Sequence, residues 1–371
     1  MAKHARQGFL YMERDKQIKT VGVIGHFAEG LDMADGQVVK TRTVRELLRD
    51  VCGNENVRFV DTRGWQKHPA ALLHKCIELA KFSDALVMLP AHNGVKVFAP
   101  LLVFLRKRYG CKAVYSVIGG WLAEFIADKP RLAKKLRSFD AILVESNRVR
   151  SLLLEQGFDN VLVAYNYKRL PLLESFELEQ PSGEPWPLAV FSRIYEEKGI
   201  DDIVWAVREA NSRLGRRAFK LDIYGNVLPE YKEHFDVLMA GCDASEVAYK
   251  GVAPAGESTS VLNGYLVLAF PTRCPGEGVP GTVVDAYCAG IPVIASRWPS
   301  YAEMVEEGET GVTYEFYNRD ALLDVLLNPE LPKQLLAMKE PCLHKGRDYS
   351  YEAGLREFKH LVESGFNAHN Q

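Results

Sequence analysis

The sequence of 371 residues lacks any long hydrophobic run. Runs such as LVLAF at 266–270 are far shorter than the stretch of about 18 apolar residues that indicates a membrane-spanning helix. The N-terminal segment MAKHARQGFLYMERDKQ has charges but neither an apolar stretch nor a small-residue cleavage site, unlike a secretion signal. We therefore expect a cytoplasmic protein that does not cross a bilayer.

Closely spaced cysteines and metal-ligand clusters are also lacking. The seven cysteines are odd in number, scattered and without a CxxC pair, which argues against a disulfide framework and a zinc site. No His, Asp or Glu cluster has metal-ligand spacing, and Asp32 and Asp35 do not form a convincing DxD motif. We expect no metal and no other cofactor.

Internal repeats are absent too, which excludes solenoid folds. The net charge of −2 hides a split, because residues 1–170 hold 28 Lys and Arg against 17 Asp and Glu, a charge of +11, and the remainder carries −13. Basic runs at 105–112 and 129–137 contain few aromatic residues, so we expect no nucleic-acid partner. Solvated helix faces and peripheral contact with an acidic membrane surface stay open as explanations.

Short apolar runs such as TVGVIG, DALVMLP and DAILVES alternate with segments of helical periodicity, which is typical of parallel strands in βαβ units. The alternation stops at 171–187, where PLLESFELEQPSGEPWP has the composition of a linker. The sequence therefore predicts two doubly wound parallel sheets of the α/β class, in domains 1–170 and 188–349, followed by a closing helix within 350–371. The cleft between the domains is the expected ligand site.

A glycine-rich turn within the second predicted domain has two interpretations. Gly276, Gly278 and Gly281 form a GxGxxG pattern between a strand and a helix, as in dinucleotide-binding domains. An NAD(P)-dependent oxidoreductase is therefore one alternative. Against it, prolines 275 and 280 bracket the motif, and no acid follows the next strand, PVIASRWPS, to bind a ribose.

The second interpretation starts from the two acids near this turn. Glu277 precedes the predicted helix and Asp285 lies about one turn inside it, so both carboxylates can face one cleft. The first amides of the helix favour a phosphate between them, while each carboxylate accepts hydrogen bonds from hydroxyls. A nucleotide sugar has this order of ribose, diphosphate and hexose. Arg193 and Lys198, in the loop FSRIYEEKG, can bracket the diphosphate.

These motifs resemble those of GT-B glycosyltransferases with an E-x7-E motif, in particular family four and its bacterial surface-polysaccharide branch. The similarity covers 187–315 and rests on SRIYEEKG, LDIYGN, VAYKGV, EGVPGTVVD, AYCAGIPVIAS and EEGETGV. GHFAEGLDMADGQVVKT and VIGGWLAEF resemble the acceptor-side loops of such enzymes more loosely. Asp285 stands where the family more often has Glu.

The resemblance implies two Rossmann-like domains facing a cleft and a metal-independent transferase. Its donor would be a nucleotide sugar, UDP- or GDP-linked, and the sugar would move with retention to a carbohydrate or a polyprenyl- or other lipid-linked glycan, in polysaccharide or glycolipid synthesis. A non-enzymatic nucleotide-sugar-binding protein stays open as an alternative.

The resemblance also assigns site residues. Arg193 and Lys198 would bind the diphosphate, Glu277 the donor sugar and Asp285 the ribose, and His92 would contact the donor sugar or leaving group. The other donor-side residues are Gly278, Gly281 and Thr282 in the turn, and Gly225, Lys250, Gly251 and Val252 towards the base. Gly36, Gln37 and Lys40 would lie on the acceptor side.

Overall fold

The computed structural model describes residues 17–31, 36–254 and 256–368. Asp32 and Asp35 lie outside this part of the chain. Within it, the strands form two separate six-stranded sheets in which every paired neighbour is parallel. The predicted α/β fold of two doubly wound sheets is confirmed.

The first sheet has the strand order β2-β1-β3-β4-β5-β6. All five residues of VGVIG in β1 are buried because helices cover both faces of the sheet, whereas the edge strand β2 is partly exposed. The strands are β1 Val21–Gly25, β2 Val57–Asp61, β3 Ala85–Met88, β4 Lys112–Ser116, β5 Ala141–Val144 and β6 Val161–Val163. The helices are α1 Gly36–Cys52, α2 Pro69–Phe82, α3 His92–Tyr109, α4 Leu122–Ile126, α5 Pro130–Leu136 and α6 Asn147–Glu155.

The second sheet has the order β12-β11-β10-β7-β8-β9. It begins at Trp186, two residues before the domain start expected from the sequence. Its strands are β7 Trp186–Phe191, β8 Phe219–Tyr224, β9 Val247–Gly251, β10 Val267–Phe270, β11 Val293–Ser296 and β12 Gly311–Tyr314. The helices are α7 Ile200–Leu214, α8 Lys232–Ala240, α9 Ser258–Leu262, α10 Gly281–Cys288, α11 Tyr301–Met304, α12 Arg319–Leu327, α13 Leu331–Ala337 and α14 Lys339–Arg347.

Each sheet has one point where the strand order reverses, and such points hold ligands in doubly wound folds. In the first sheet the reversal lies between β1 and β3, so the segments after Gly25 and Met88 flank it. In the second sheet it lies between β7 and β10, whose carboxyl ends lead into the loop at 192–199 and the turn at 271–280. The strand order therefore brings together the two donor-side motifs predicted from the sequence.

The last helix, α15 (Tyr351–Glu363), returns to the first domain. The hydroxyl of Ser350 caps it by accepting a hydrogen bond from the amide of Ala353 at 3.2 Å. Its apolar face packs on α1 and joins Phe358 and Leu361 to the core beneath β1. The chain thus crosses between the domains twice, once after β6 and once before α15.

None of the helices in the described ranges is both long and apolar enough to cross a membrane.

Phe358 tests whether α15 is part of the first domain's core. The Phe358→Ala variant should lower the free energy of unfolding by about 3–5 kcal/mol, because a side chain that is 1% exposed leaves a cavity. The control is Phe176→Ala, at a position that is 87% exposed, which should change stability by less than about 0.5 kcal/mol. Urea unfolding followed by tryptophan fluorescence measures both, and equal effects would contradict the assigned packing.

Candidate active site between the two sheets

The turn between β10 and α10 lies at the carboxyl end of the second sheet, at its reversal point. Pro280 precedes α10, and the first bonds of the helix run to its carbonyl from the amides of Val283 and Val284 at 3.0 and 3.3 Å. The amides of Gly281 and Thr282 therefore take no part in the helical hydrogen bonding and face the turn. With the positive end of the helix dipole, they form a seat for an anion.

Lys198 and Glu277 form an ion pair beside this seat. Both side chains are largely buried, and Thr272 donates a further hydrogen bond to Glu277 at 3.2 Å. Burial by itself would lower the pKa of Lys198, but the charge of Glu277 and the neighbouring Tyr195 raise it above its usual value. Lys198 is therefore a permanent cation at neutral pH.

Arg193 follows β7 on the same side of the site and is exposed. Its guanidinium lies 5.6 Å from the centre of the Tyr195 ring, and Nζ of Lys198 lies 5.7 Å from the same ring centre. Among the described residues no carboxylate pairs with Arg193. The structure thus brings both predicted cations to one aromatic ring, and the guanidinium is available to an anion.

Gly225 holds the loop containing Arg193 close to the end of β8. It has a φ of +142°, and a methyl group at this position would lie 1.7 Å from the carbonyl oxygen of Ser192. Only glycine fits this approach. The predicted residues towards the base lie at the adjoining end of β9. Nζ of Lys250 lies 3.4 Å from Asp222, and the carbonyl of Gly251 accepts a hydrogen bond from the amide of Gly225. Val252, which follows the strand, is exposed.

The ammonium of Lys168 pairs with Asp285 on the buried side of α10. Nζ of Lys168, from the segment after β6, lies 2.6 Å from Oδ1 of Asp285. The nearby hydroxyl of Thr282 donates a hydrogen bond to the carbonyl of Phe191, which ties α10 to β7. Asp285 is therefore oriented from the first-domain side, a contact that the sequence did not suggest.

Glu145, which follows β5, contacts the same turn from the first domain. It accepts hydrogen bonds from Nζ of Lys40 at 2.5 Å and from the amide of Val279 at 3.3 Å. Lys40 also donates to the carbonyl of Val117 at 2.9 Å, and burial lowers its pKa although Glu145 opposes that shift. Lys40, predicted on the acceptor side, is thus an interior residue that supports Glu145. Gly36 and Gln37 begin α1 nearer the surface, Gly36 being exposed.

His92 is the first residue of α3, beside the reversal point of the first sheet. Its ring stacks on Trp121 with centroids 3.9 Å apart, and Phe125 meets it edge-on at 5.5 Å. Partial burial and the charge of Lys96 lower the pKa of His92 below its usual value, so the imidazole is neutral at pH 7. A neutral imidazole can donate one hydrogen bond and accept another.

Sequence reasoning missed the first-domain partners of the turn. Glu145 and Lys168 were not singled out, and neither was Asn166, whose amide donates to the carbonyl of Val279 at 3.2 Å. A polar residue directly after a buried strand, as in DAILVES, is a signal that could have indicated Glu145. No group of three or more His, Cys, Asp or Glu able to hold a metal lies in the described part of the chain.

Gly278 tests this close packing. A methyl group there would lie 2.6 Å from Oε2 of Glu145 and 3.0 Å from the Gly119 backbone. Gly278→Ala should therefore destabilise the packing of the turn against the first domain by about 1–3 kcal/mol. The matched control is Gly276→Ala, whose methyl group would meet its nearest atom at an ordinary 3.8 Å. Differential scanning calorimetry compares the two variants. Equal melting temperatures would contradict the contact between the domains at this point.

Comparison with known proteins agrees with this geometry. Residues 187–328 match the family model described as "Glycosyl transferases group 1". No curated protein sequence matches the chain significantly.

Solved structures share the whole fold at low sequence identity. Anabaena HepE in complex with UDP and glucose is 13% identical with a TM-score of 0.71, covering 93% of this chain and 100% of HepE. The apo form of the lipopolysaccharide outer core galactosyltransferase WaaB is 13% identical with a TM-score of 0.65, covering 92% and 98%. Pneumococcal O-GlcNAc transferase GtfA, with UDP and GlcNAc, is 18% identical with a TM-score of 0.61, covering 80% of this chain and 60% of GtfA.

The neighbours establish the two-domain fold, and the family match covers the domain that carries the anion seat and both cations. The chain therefore has the two-domain GT-B fold, and its second domain matches the model of group 1 glycosyltransferases.

Proposed function

We propose that the protein transfers a sugar from a nucleoside diphosphate sugar, UDP- or GDP-linked, to a glycan acceptor with retention of configuration. One observation carries the proposal. The point where the strand order of the second sheet reverses brings together the first amides of α10, the Lys198–Glu277 pair and Arg193, which pairs with no carboxylate among the described residues. A diphosphate is the anion that fits both a helix start and two neighbouring cations.

The charge that develops when the sugar–phosphate bond breaks lies on the departing diphosphate. Arg193 and Lys198 would stabilise it, and closure of the domains would exclude water from the transfer. Glu277, already oriented by Lys198 and Thr272, would accept hydrogen bonds from hydroxyls of the donor sugar. Asp285 would bind the ribose. The neutral His92, which lies in the first domain, would contact the donor sugar from the other side.

The compounds in neighbouring structures support this choice of substrate class. HepE is described with UDP and glucose and GtfA with UDP and GlcNAc, whereas WaaB is described as a galactosyltransferase of the lipopolysaccharide outer core. We therefore favour UDP over GDP as the nucleotide. A carbohydrate or lipid-linked glycan of a surface polysaccharide or glycolipid is the proposed acceptor, held on the first domain near Gly36 and Gln37.

The strand order disfavours the oxidoreductase alternative. A dinucleotide fingerprint follows the first strand of its domain, but here that strand is β7, which leads into FSRIYEEKG. The GxGxxG pattern instead follows β10. Its middle glycine, Gly278, packs closely against Glu145 and Gly119 of the other domain. The pyrophosphate of a dinucleotide would have to displace this contact.

Turnover by Arg193 variants tests the proposed function. The substrate is the nucleotide sugar that most raises the melting temperature of the protein. With it, Arg193→Ala should lower kcat/KM by a factor that corresponds to about 2–4 kcal/mol of transition-state stabilisation, because the departing diphosphate loses a hydrogen-bond donor. The control is Arg213→Ala, which removes an exposed pair with Glu209 within one helix and should leave kcat/KM unchanged.

Proton NMR of the product in the same assay determines the anomeric configuration. Retention is expected, and inversion would contradict that part of the proposal. A protein stabilised by a nucleotide sugar but inactive with every glycan acceptor tried would favour the non-enzymatic alternative.

An exposed face of α3 supports a peripheral membrane contact, where a lipid-linked acceptor would be met. Phe104 is 56% exposed and Val97 is 41% exposed, seven residues apart and so on one face of the helix. Lys107 and Arg108 lie three and four residues beyond Phe104, and α5, with exposed Arg131 and Lys134, packs alongside α3. Exposed apolar side chains with cations nearby fit an anionic lipid surface.

Vesicle binding tests this face. Changing both Lys107 and Arg108 to Gln should weaken binding to phosphatidylglycerol vesicles by more than about tenfold, because each cation contributes about 1 kcal/mol near an anionic surface. Lys232→Gln with Lys333→Gln removes two exposed cations from the second domain and is the matched control. Co-sedimentation measures both. Equal binding by the two double variants, or none by the unchanged protein, would contradict the contact.

A further inference from the structure

Lys168 occupies the first of the two crossings between the domains. Its amide donates to the carbonyl of Tyr349 at 3.1 Å, and it forms a parallel bridge with Ser350, where the chain returns towards α15. Its backbone is therefore held where both connecting segments run side by side. The side chain extends from there to α10 of the second domain.

The pairing of Lys168 with Asp285 uses only one of the hydrogen-bond donors of its ammonium. One proton is donated to Oδ1 of Asp285 at 2.6 Å, and the part of the chain that the structure describes offers it no other acceptor. The Lys168 side chain is 16% exposed, whereas the Asp285 side chain is 5% exposed. The carboxylate is thus more enclosed than the lysine, whose side chain keeps some exposure.

The ammonium also lies at the start of α10. A methyl group built on Gly281 would be 3.0 Å from Cε of Lys168 and 3.2 Å from its Nζ. Gly281 therefore leaves room for the lysine directly beside the two free amides of the helix. This places a cation next to the anion seat.

A buried ion pair by itself is weak evidence of stabilisation, because desolvation of both charges offsets their attraction. An anion that binds beside the pair changes this balance, since it gains an ammonium that is already oriented and partly desolvated. The enclosed carboxylate fixes the direction of the lysine.

On the basis of the proposed function, we propose that Lys168 is a donor-binding residue supplied by the crossing between the domains, and that its ammonium contacts the diphosphate. Asp285 is its positioning residue. The diphosphate is then held by three cations from two segments: Arg193 and Lys198 from one loop of the second domain, and Lys168 from the crossing. Occupancy of the donor site is thereby linked to the segment that connects the two domains.

Calorimetric titration with a nucleoside diphosphate and with its nucleoside separates the phosphate contact from the rest of the site. The probes are UDP and uridine, or GDP and guanosine if the unchanged protein prefers that base. Lys168→Met should weaken binding of the diphosphate about tenfold or more and leave binding of the nucleoside within about twofold, since only the diphosphate meets the ammonium. Lys168→Arg, which keeps the charge, should retain most of the affinity.

The control variant is Lys232→Met, which breaks an exposed pair with Asp236 on α8 and should bind both probes like the unchanged protein. Unchanged diphosphate affinity in Lys168→Met would overturn the inference, and so would an equal loss for diphosphate and nucleoside, which would assign Lys168 a purely structural role. If the unchanged protein binds neither diphosphate, the proposed function fails together with the inference.

Discussion

The site depends on the close approach of the turn at 276–281 to the first domain. The amide of Gly120 donates to the carbonyl of Gly276 at 3.0 Å, and Glu145 accepts from the amide of Val279. Gly278 fits because it has no side chain. Gly278 and Gly281, two of the three glycines that suggested a dinucleotide fingerprint, therefore leave room for residues of the first domain at this turn.

Burying charge around this turn requires partners, and the structure supplies them as three lysine–carboxylate pairs. Lys198 pairs with Glu277, Lys168 with Asp285 and Lys40 with Glu145. Each lysine orients a carboxylate near the turn, and all three pairs join segments that are distant in the chain. Such pairs favour a specific arrangement more than they add stability. Arg193 differs because no described carboxylate neutralises it, which is why we assign it the developing charge of the leaving group.

The fold was largely predictable because buried parallel strands leave a clear pattern. VGVIG, DALVMLP and YLVLAFP all contain strands, and α10 begins at Gly281, where the turn residues indicated. His92 is the first residue of α3, and three residues separate this helix from the end of β3. The meeting of Arg193, Lys198 and Glu277 was predictable from local motifs together with the rule for strand ends.

The partners from the first domain were not predictable in the same way. Lys168 and Asp285 are 117 residues apart, and Lys40 and Glu145 are 105 apart, so only the relative placement of distant segments creates these pairs. An isolated lysine after AYNY carries no local signal of its partner. The interior position of Lys40 likewise follows from its pairing with the distant Glu145, which the sequence around Lys40 does not indicate.

The most direct test of the account is a crystal structure with a bound nucleoside diphosphate sugar. The diphosphate oxygens should lie within hydrogen-bonding distance of the amides of Gly281 and Thr282 and within reach of Arg193 and Lys198. A diphosphate bound elsewhere, or one that leaves the start of α10 unoccupied, would contradict the central claim that this seat holds the activated sugar.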